Sequence, residues 1–397
     1  MKKDKIILIL IFLFALFLRL YKLGSIPHTF HEDEVLSGYV GRYIIQNGCD
    51  LYGNKWPLWY FNKFGDYYII GPIYFSGLAT YLFGINEFAT RFPHAFFGAL
   101  AIFPLFYFTL EIFKNKKIAL LSSLFLAIAP WHVVLSRSTT EGIIGATLFL
   151  TSLVFLLKSK ENYSLKKLSI SFLLSLSTYW IYHPFRIYAP LTFLAFLIIF
   201  LKKIKKNKKY FLWLTVFALL FLALTFYIGQ TPWGKGRFMQ TSIFGIISGV
   251  KIRLLELIAD EGQNNILMAR IFHNKIVGYG RELIKQYLSY FSPVFLLFNG
   301  LEKSRYYIPE QGMIYFSFFL LIIYSLTEIK NLISRYKKPV LFFLFVFFLS
   351  PFPASLTFIE SPNPHRSLFL IIFLIILSAF GLYQIKKITF FKIKVFY

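Results

Sequence analysis

The chain is poor in charge and poorer still in acid. Of its 397 residues only 15% are charged, with 18 Asp and Glu against 43 Lys and Arg. A single cysteine, Cys49, excludes an internal disulfide and leaves the redox compartment open. No stretch alternates strand and helix periods as a nucleotide-binding α/β domain would require. No regular repeat occurs, and no low-complexity tract beyond short lysine runs. The net charge of +25 does not mark a nucleic-acid binder, because the basic residues fall in short clusters between apolar runs and on no recognition motif.

What is present is apolar surface. Hydrophobic residues make up 57% of the chain, more than a soluble domain of this size needs. Runs long enough for tilted spanning helices lie at 6–22, 94–113, 117–135, 142–157, 168–182, 187–201, 210–228, 312–328, 339–355 and 367–384. The first resembles a signal peptide, but Arg19, Tyr21 and Lys22 follow it and no small-residue cleavage site does, so a retained anchor is expected. A further run at 68–84 is broken by Gly71-Pro72 and Gly77.

The basic clusters decide the topology. Lys2 to Lys5, Lys114 to Lys117, Lys158 to Lys167, Lys202 to Lys209, Lys330 to Lys338 and Lys386 to Lys394 hold more than half of the Lys and Arg. Ten spans put all six clusters on the cytoplasmic side, as the positive-inside rule asks. An eleventh at 68–84 would put the N-terminus opposite every later cluster, so that segment is expected to lie in the outer interface or to re-enter. The expectation is an all-α polytopic membrane protein, one domain over 1–397, with about ten spanning helices. All seven histidines and 14 of the 18 carboxylates then fall on the outer side. That side comprises the loop 23–93, the ends near 132–141 and 183–186, the loop 229–311 and the segment 356–366. Amphipathic helices on the outer surface are expected at 243–259 and 276–291, with breaks at Pro232, Gly234, Gly236, Gly262 and Pro293.

Within the outer side, His31-Glu32-Asp33-Glu34 stands out. Charge against a bilayer is retained mainly where it binds or reacts. The acids open a helical pattern through Ile45, where they also complement the helix dipole. A carboxylate at this boundary is partly desolvated, which suits a general base, and Asp33 is the first candidate, with Glu34 beside it. Asp66, after Gly65, is either a turn residue or a second carboxylate facing the first. Basic and aromatic groups gather at other outer helix ends: Arg91, Arg137 after Pro130-Trp131-His132, Tyr182-His183-Pro184-Phe185-Arg186, and His365-Arg366. Each alone reads as a snorkelling side chain. Together they suit a phosphate pocket, since arginine's fork matches phosphate oxygens.

These elements resemble the bacterial and archaeal glycosyltransferases of the dolichyl-phosphate-mannose protein mannosyltransferase (glycosyltransferase family 39) and aminoarabinose transferase type. The resemblance rests on Asp33-Glu34, Gly65-Asp66-Tyr67 with Pro72, Phe88 to Pro93, Ser136-Arg137, the Tyr182 to Arg186 turn and Pro364-His365-Arg366. It implies the GT-C fold, a polyprenyl-phosphate-linked sugar as donor, the first-loop aspartate as base, and inversion at the anomeric carbon. No cofactor is certain, and the resemblance leaves a divalent metal open. The expected partners are the lipid-linked sugar, membrane lipids, and a protein, lipid or glycan acceptor. The expected place is the plasma membrane, with the active site outside. The alternative is a transporter or lipid-linked glycan flippase. Such proteins hold ionisable groups near the bilayer midplane, whereas here they sit at outer helix ends.

Overall fold

The structure is a computed structural model that describes residues 2–298 and 308–395. Nearly every element is a helix. In chain order they are α1 Lys2–Leu20, α2 Glu32–Asn47, α3 Gly71–Phe83, α4 Glu87–Leu100, α5 Ile102–Phe113, α6 Lys116–Ile128 and α7 Pro130–Ser136. Then come α8 Glu141–Ser159, α9 Leu165–Ser177, α10 Phe185–Ile204, α11 Lys208–Gln230, α12 Pro232–Thr241, α13 Val250–Phe272 and α14 Lys275–Ser289. The last are α15 Phe316–Thr327, α16 Ile329–Leu349, α17 Phe352–Ser355 and α18 Leu368–Val395.

Among the described residues six helices are long and apolar enough to cross a membrane: Glu87–Phe113, α8, α10, α11, Tyr336–Ser355 and Leu368–Ile385. A seventh crossing exists if α6 and α7, bent 58° at Ala129, count as one. The other three expected spans are helical but differ. Helix α1 has 19 residues and carries Lys3, Asp4, Lys5 and Arg19. Helices α9 and α15 have 13 and 12 residues. The segment read as an outer or re-entrant piece is the 13-residue α3, roughly 20 Å long against a hydrocarbon core of about 30 Å.

The spanning helices share one apolar core rich in phenylalanine, such as Phe149 against Phe185 and Phe369, and Phe113 against Phe343. The loop 23–93 has a smaller core of its own, built on Val40, Ile44, Phe61, Ile70 and Ile73. There α2 and α3 touch backbone to backbone. A Cβ on Gly41 would lie 2.1 Å from the Ile73 carbonyl oxygen, so only glycine fits. Thr80 Oγ1 donates to the Gly38 carbonyl at 3.0 Å across the same contact.

A feature that hydropathy did not reveal joins these two helices. Strands β1 Tyr60–Lys63 and β2 Asp66–Ile69 form an antiparallel hairpin in which Lys63 faces Asp66. Its two turn residues, Phe64 (φ 51°) and Gly65 (φ 91°), are both left-handed, the geometry that matches strand twist. In the loop 229–311, α12 replaces a segment read as breaks. Pro232 is tolerated in its first turn, and the Thr231 hydroxyl caps the Gly234 N–H. Helix α13 runs through Gly262 and breaks instead at Asn265.

Candidate active site

The last turn of α1 and the irregular segment 21–31 that leads into α2 leave carbonyls without helical partners, so these need donors from elsewhere. Two arginines supply them. Arg91, fully buried in α4, donates to the carbonyls of Leu23, Pro27 and Thr29 at 2.9–3.2 Å. Arg137 donates to those of Leu18, Arg19, Tyr21 and Ile26 at 2.7–3.1 Å. The remaining face of Arg91 closes on Glu34, Nε to Oε1 at 3.1 Å and Nη2 to Oε2 at 2.9 Å. Glu34 also accepts from the backbone N–H groups of Thr139 and His31, and so completes a capping box with His31.

Arg91, Arg137 and Glu34 thus turn their polar atoms to shaping the loop and are not brought to the cavities with the other expected site residues. Glu34 and Arg91 are buried, and none of the three lines a cavity described here.

One residue earlier, Asp33 points the other way. His31 Nδ1 accepts the Asp33 N–H at 3.1 Å, which anchors the helix start. The Asp33 carboxylate receives Lys63 Nζ at 2.7 Å, and Glu32 shares that ammonium at 3.0 Å. Burial opposes the Lys63 charge, but the hydrogen bonds to Asp33 and Glu32 outweigh it and hold its pKa above the ordinary lysine value. Across the hairpin from Lys63, Asp66 pairs with Arg237 of α12 at 2.6 Å.

The base of the hairpin is fixed by stacked rings. Trp59 lies between Trp180 and Trp233, with centroids 5.1 and 5.5 Å away. Arg186 covers the other side of this group, 5.3 Å from the Trp233 ring, and donates Nε and Nη2 to the Tyr179 carbonyl.

Two cavities result. The first, about 480 Å³, is polar. Asp33, Lys63, Asp66, Glu141, His365 and Arg366 are among the residues that line it. In it His365 Nε2 sits 3.2 Å from Glu141 Oε2, and its ring stacks on Tyr182 at 5.0 Å. The second, about 460 Å³, is mostly apolar and runs between the start of α10, the end of α11, α12 and α17, with Ile187, Ile228, Phe238 and Leu356 in its walls. The cavities share Tyr182, His183, Arg237 and Arg366. Burial, and then the charges of Arg186 and Arg237, push the His183 imidazole well below its ordinary range, so it stays neutral at pH 7. Arg366 is braced by Thr357 Oγ1 at 2.9 Å and by the Ile359 carbonyl.

Of the residues singled out from sequence, Asp33, Asp66, Tyr182, His183, His365 and Arg366 meet at the polar cavity, and Arg186 borders the apolar one. Lys63 and Arg237 were missed. Only the turn chemistry of Phe64-Gly65 pointed to Lys63, and nothing local pointed to Arg237. Two of the carboxylates face cations, Asp33 facing Lys63 and Asp66 facing Arg237, while Glu141 faces His365. Among the described residues no three His, Cys, Asp or Glu side chains converge to hold a metal ion.

Residues 70–228 match the family model of dolichyl-phosphate-mannose-protein mannosyltransferase. No curated protein sequence matches the chain. Among solved structures, the archaeal oligosaccharyltransferase AglB from Archaeoglobus fulgidus, in complex with an inhibitory peptide and a dolichol-phosphate, superposes with a TM-score of 0.58 at 16% identity. That match covers 98% of this chain and 51% of AglB. ArnT from Cupriavidus metallidurans, bound to undecaprenyl phosphate, superposes with a TM-score of 0.53 at 14% identity, over 96% of this chain and 59% of ArnT. The chain therefore spans about half the length of AglB and somewhat more of ArnT. It is a multi-pass membrane protein with the GT-C fold, and its family resemblance is to the protein mannosyltransferase and aminoarabinose transferase type.

Proposed function

We propose that the protein transfers a sugar from a polyprenyl-phosphate donor to an acceptor hydroxyl at the outer face of the plasma membrane. The observation that carries this reading is the pair of cavities, one polar and one apolar, joined at a wall of Arg237, Arg366, His183 and Tyr182. A lipid-linked sugar has the same three parts in the same order: polar sugar, phosphate, apolar chain. The sugar occupies the polar cavity, the phosphate meets the shared wall, and the chain enters the apolar cavity from the leaflet. The lipid phosphates bound by AglB and ArnT, which share the fold, support this class of donor. The lysine clusters on the opposite side support an outward-facing cavity through the positive-inside rule.

The chemistry asks little of the protein. A phosphate-linked sugar already carries a good leaving group, so a strong general acid is unnecessary. Asp33 takes the proton of the acceptor hydroxyl, whose oxygen attacks the anomeric carbon as the bond to phosphate oxygen breaks. Arg366 and its neighbours stabilise the charge that develops on the departing phosphate. A single displacement inverts the anomeric centre. The acceptor is a hydroxyl of a protein, a lipid or a glycan.

Purified protein in lipid is expected to transfer sugar from a polyprenyl-phosphate donor and to ignore the matching nucleotide sugar. Asp33→Asn should lose roughly two orders of magnitude or more in turnover while donor binding persists. Transfer from the nucleotide sugar in carrier-free detergent, or movement of lipid across the bilayer without transfer, would overturn the reading.

A further inference from the structure

Arg237 stands in the wall common to the two cavities, and its contact with Asp66 is unusual in form. One terminal nitrogen, Nη1, lies 2.6 Å from both carboxylate oxygens. Arginine and a carboxylate commonly meet fork to fork, with two parallel hydrogen bonds. Here Asp66 engages one corner only. Among the described residues Nε and Nη2 of Arg237 make no hydrogen bond, and the side chain is one-third exposed. The guanidinium thus keeps a flat edge with two donors side by side. Arg186 has spent Nε and Nη2 on Tyr179, whereas Arg366, like Arg237, bonds through Nη1 alone, to Thr357 and Ile359, so what sets Arg237 apart is the carboxylate that holds its corner.

Asp66 is well placed to aim that edge. It closes a two-residue turn opposite Lys63, whose ammonium is itself held by Glu32 and Asp33. Helix α12 meets the hairpin at Gly236, where a Cβ would lie 3.5 Å from the Tyr67 ring. Asp66 therefore fixes one corner of Arg237 from a braced strand. The pairing also cancels a negative charge that would otherwise repel an arriving phosphate.

We propose that Arg237 grips the donor's phosphate through its open edge, and that Asp66 is a positioning residue for Arg237, not a second base. The proposal rests on the donor class given above. It divides the polar cavity between Asp33, which acts on the acceptor, and Arg237, which holds the leaving group.

The test uses the full chain in detergent. Binding of polyprenyl phosphate, phosphatidylglycerol and inorganic phosphate is measured for each variant, together with donor KM and kcat. Arg237→Gln should weaken polyprenyl-phosphate binding and raise donor KM by about tenfold or more, the scale of a lost charge-assisted contact. Turnover at saturating donor should also fall, because charge develops on the phosphate that Arg237 holds. Arg237→Lys should recover part of the affinity, because the charge remains but the fork does not. Asp66→Asn should raise donor KM and leave the pH dependence of kcat unchanged.

Wild-type affinity in Arg237→Gln, or an acidic limb of kcat lost in Asp66→Asn, overturns the proposal. If Arg237→Gln lacks a cooperative melt, Arg237→Lys decides, and a wild-type donor KM there overturns it. Equal binding of phosphatidylglycerol or inorganic phosphate would make Arg237 a general anion contact and also overturn it. A wild-type protein that binds no polyprenyl phosphate fails earlier, at the donor class.

Discussion

Lys63 Nζ lies 2.7 Å from Asp33 Oδ1, with both side chains less than one-fifth exposed. The raised pKa of Lys63 sets when this tie exists. A raised ammonium contributes its stabilisation at every pH below the ordinary lysine value, about 10.4, and loses it only as pH climbs through the higher folded value. The tie is thus intact throughout the neutral range. Lys63→Met should alter the pH–turnover profile, because it removes the ammonium held against Asp33. Superimposable profiles would show that Lys63 does not tune the base.

Glu34 and Arg91 should behave as frame, not as chemistry. Removing one partner of a buried ion pair leaves an uncompensated charge and costs about 3–5 kcal/mol. Arg91→Ala is expected to lower the melting temperature and yield far more than Arg366→Ala does. The folded fraction of Glu34→Gln should keep a donor KM near wild type. A large rise in KM at unchanged melting temperature would return Glu34 to the substrate site.

The apolar cavity can be filled without disturbing the fold. Gly229 lines it, and a Cβ added there meets nothing within 4 Å. Gly229→Trp should raise donor KM by about tenfold or more, since it displaces buried chain methylenes worth about 0.8 kcal/mol each. A donor with a short prenyl chain should lose less. Equal loss for long and short chains would argue against this cavity as the lipid path.

Cys49, half-buried near the outer end of α2, is a native reporter of sidedness. A membrane-impermeant maleimide should label it in intact cells. In a Cys49→Ser background, a cysteine at the exposed Lys206 should react only after permeabilisation. Labelling at Lys206 in intact cells would invert the topology.

Hydropathy and lysine spacing were enough to show a helical membrane protein, because a bilayer leaves the backbone few choices. The acidic start of α2 was also legible, but its two faces were not. Asp33 and Glu34 are neighbours about 100° apart around the helix, so one reaches the cavity and the other Arg91. Sequence cannot tell which, since the answer depends on where α4 packs. Arg137 was ambiguous for a similar reason: an arginine at a helix end can serve carbonyls as well as phosphate. The hairpin was hidden in an aromatic run without strict alternation. Arg237 meets Asp66 across 171 positions, a pairing that only the tertiary fold creates.

The glycine contact between α2 and α3 has a mechanical consequence. With Gly41 and Gly77 backbone to backbone, the two helices share one rigid seam and cannot slide or part without breaking it. They act as a fixed jaw that carries the hairpin and Asp33. The opposing jaw, α12 and the 356–366 segment, supplies Arg237, His365 and Arg366 to the cavity. That jaw is fastened to the first through side chains at Asp66–Arg237 and the Trp59–Trp233 stack, which can let go and re-form.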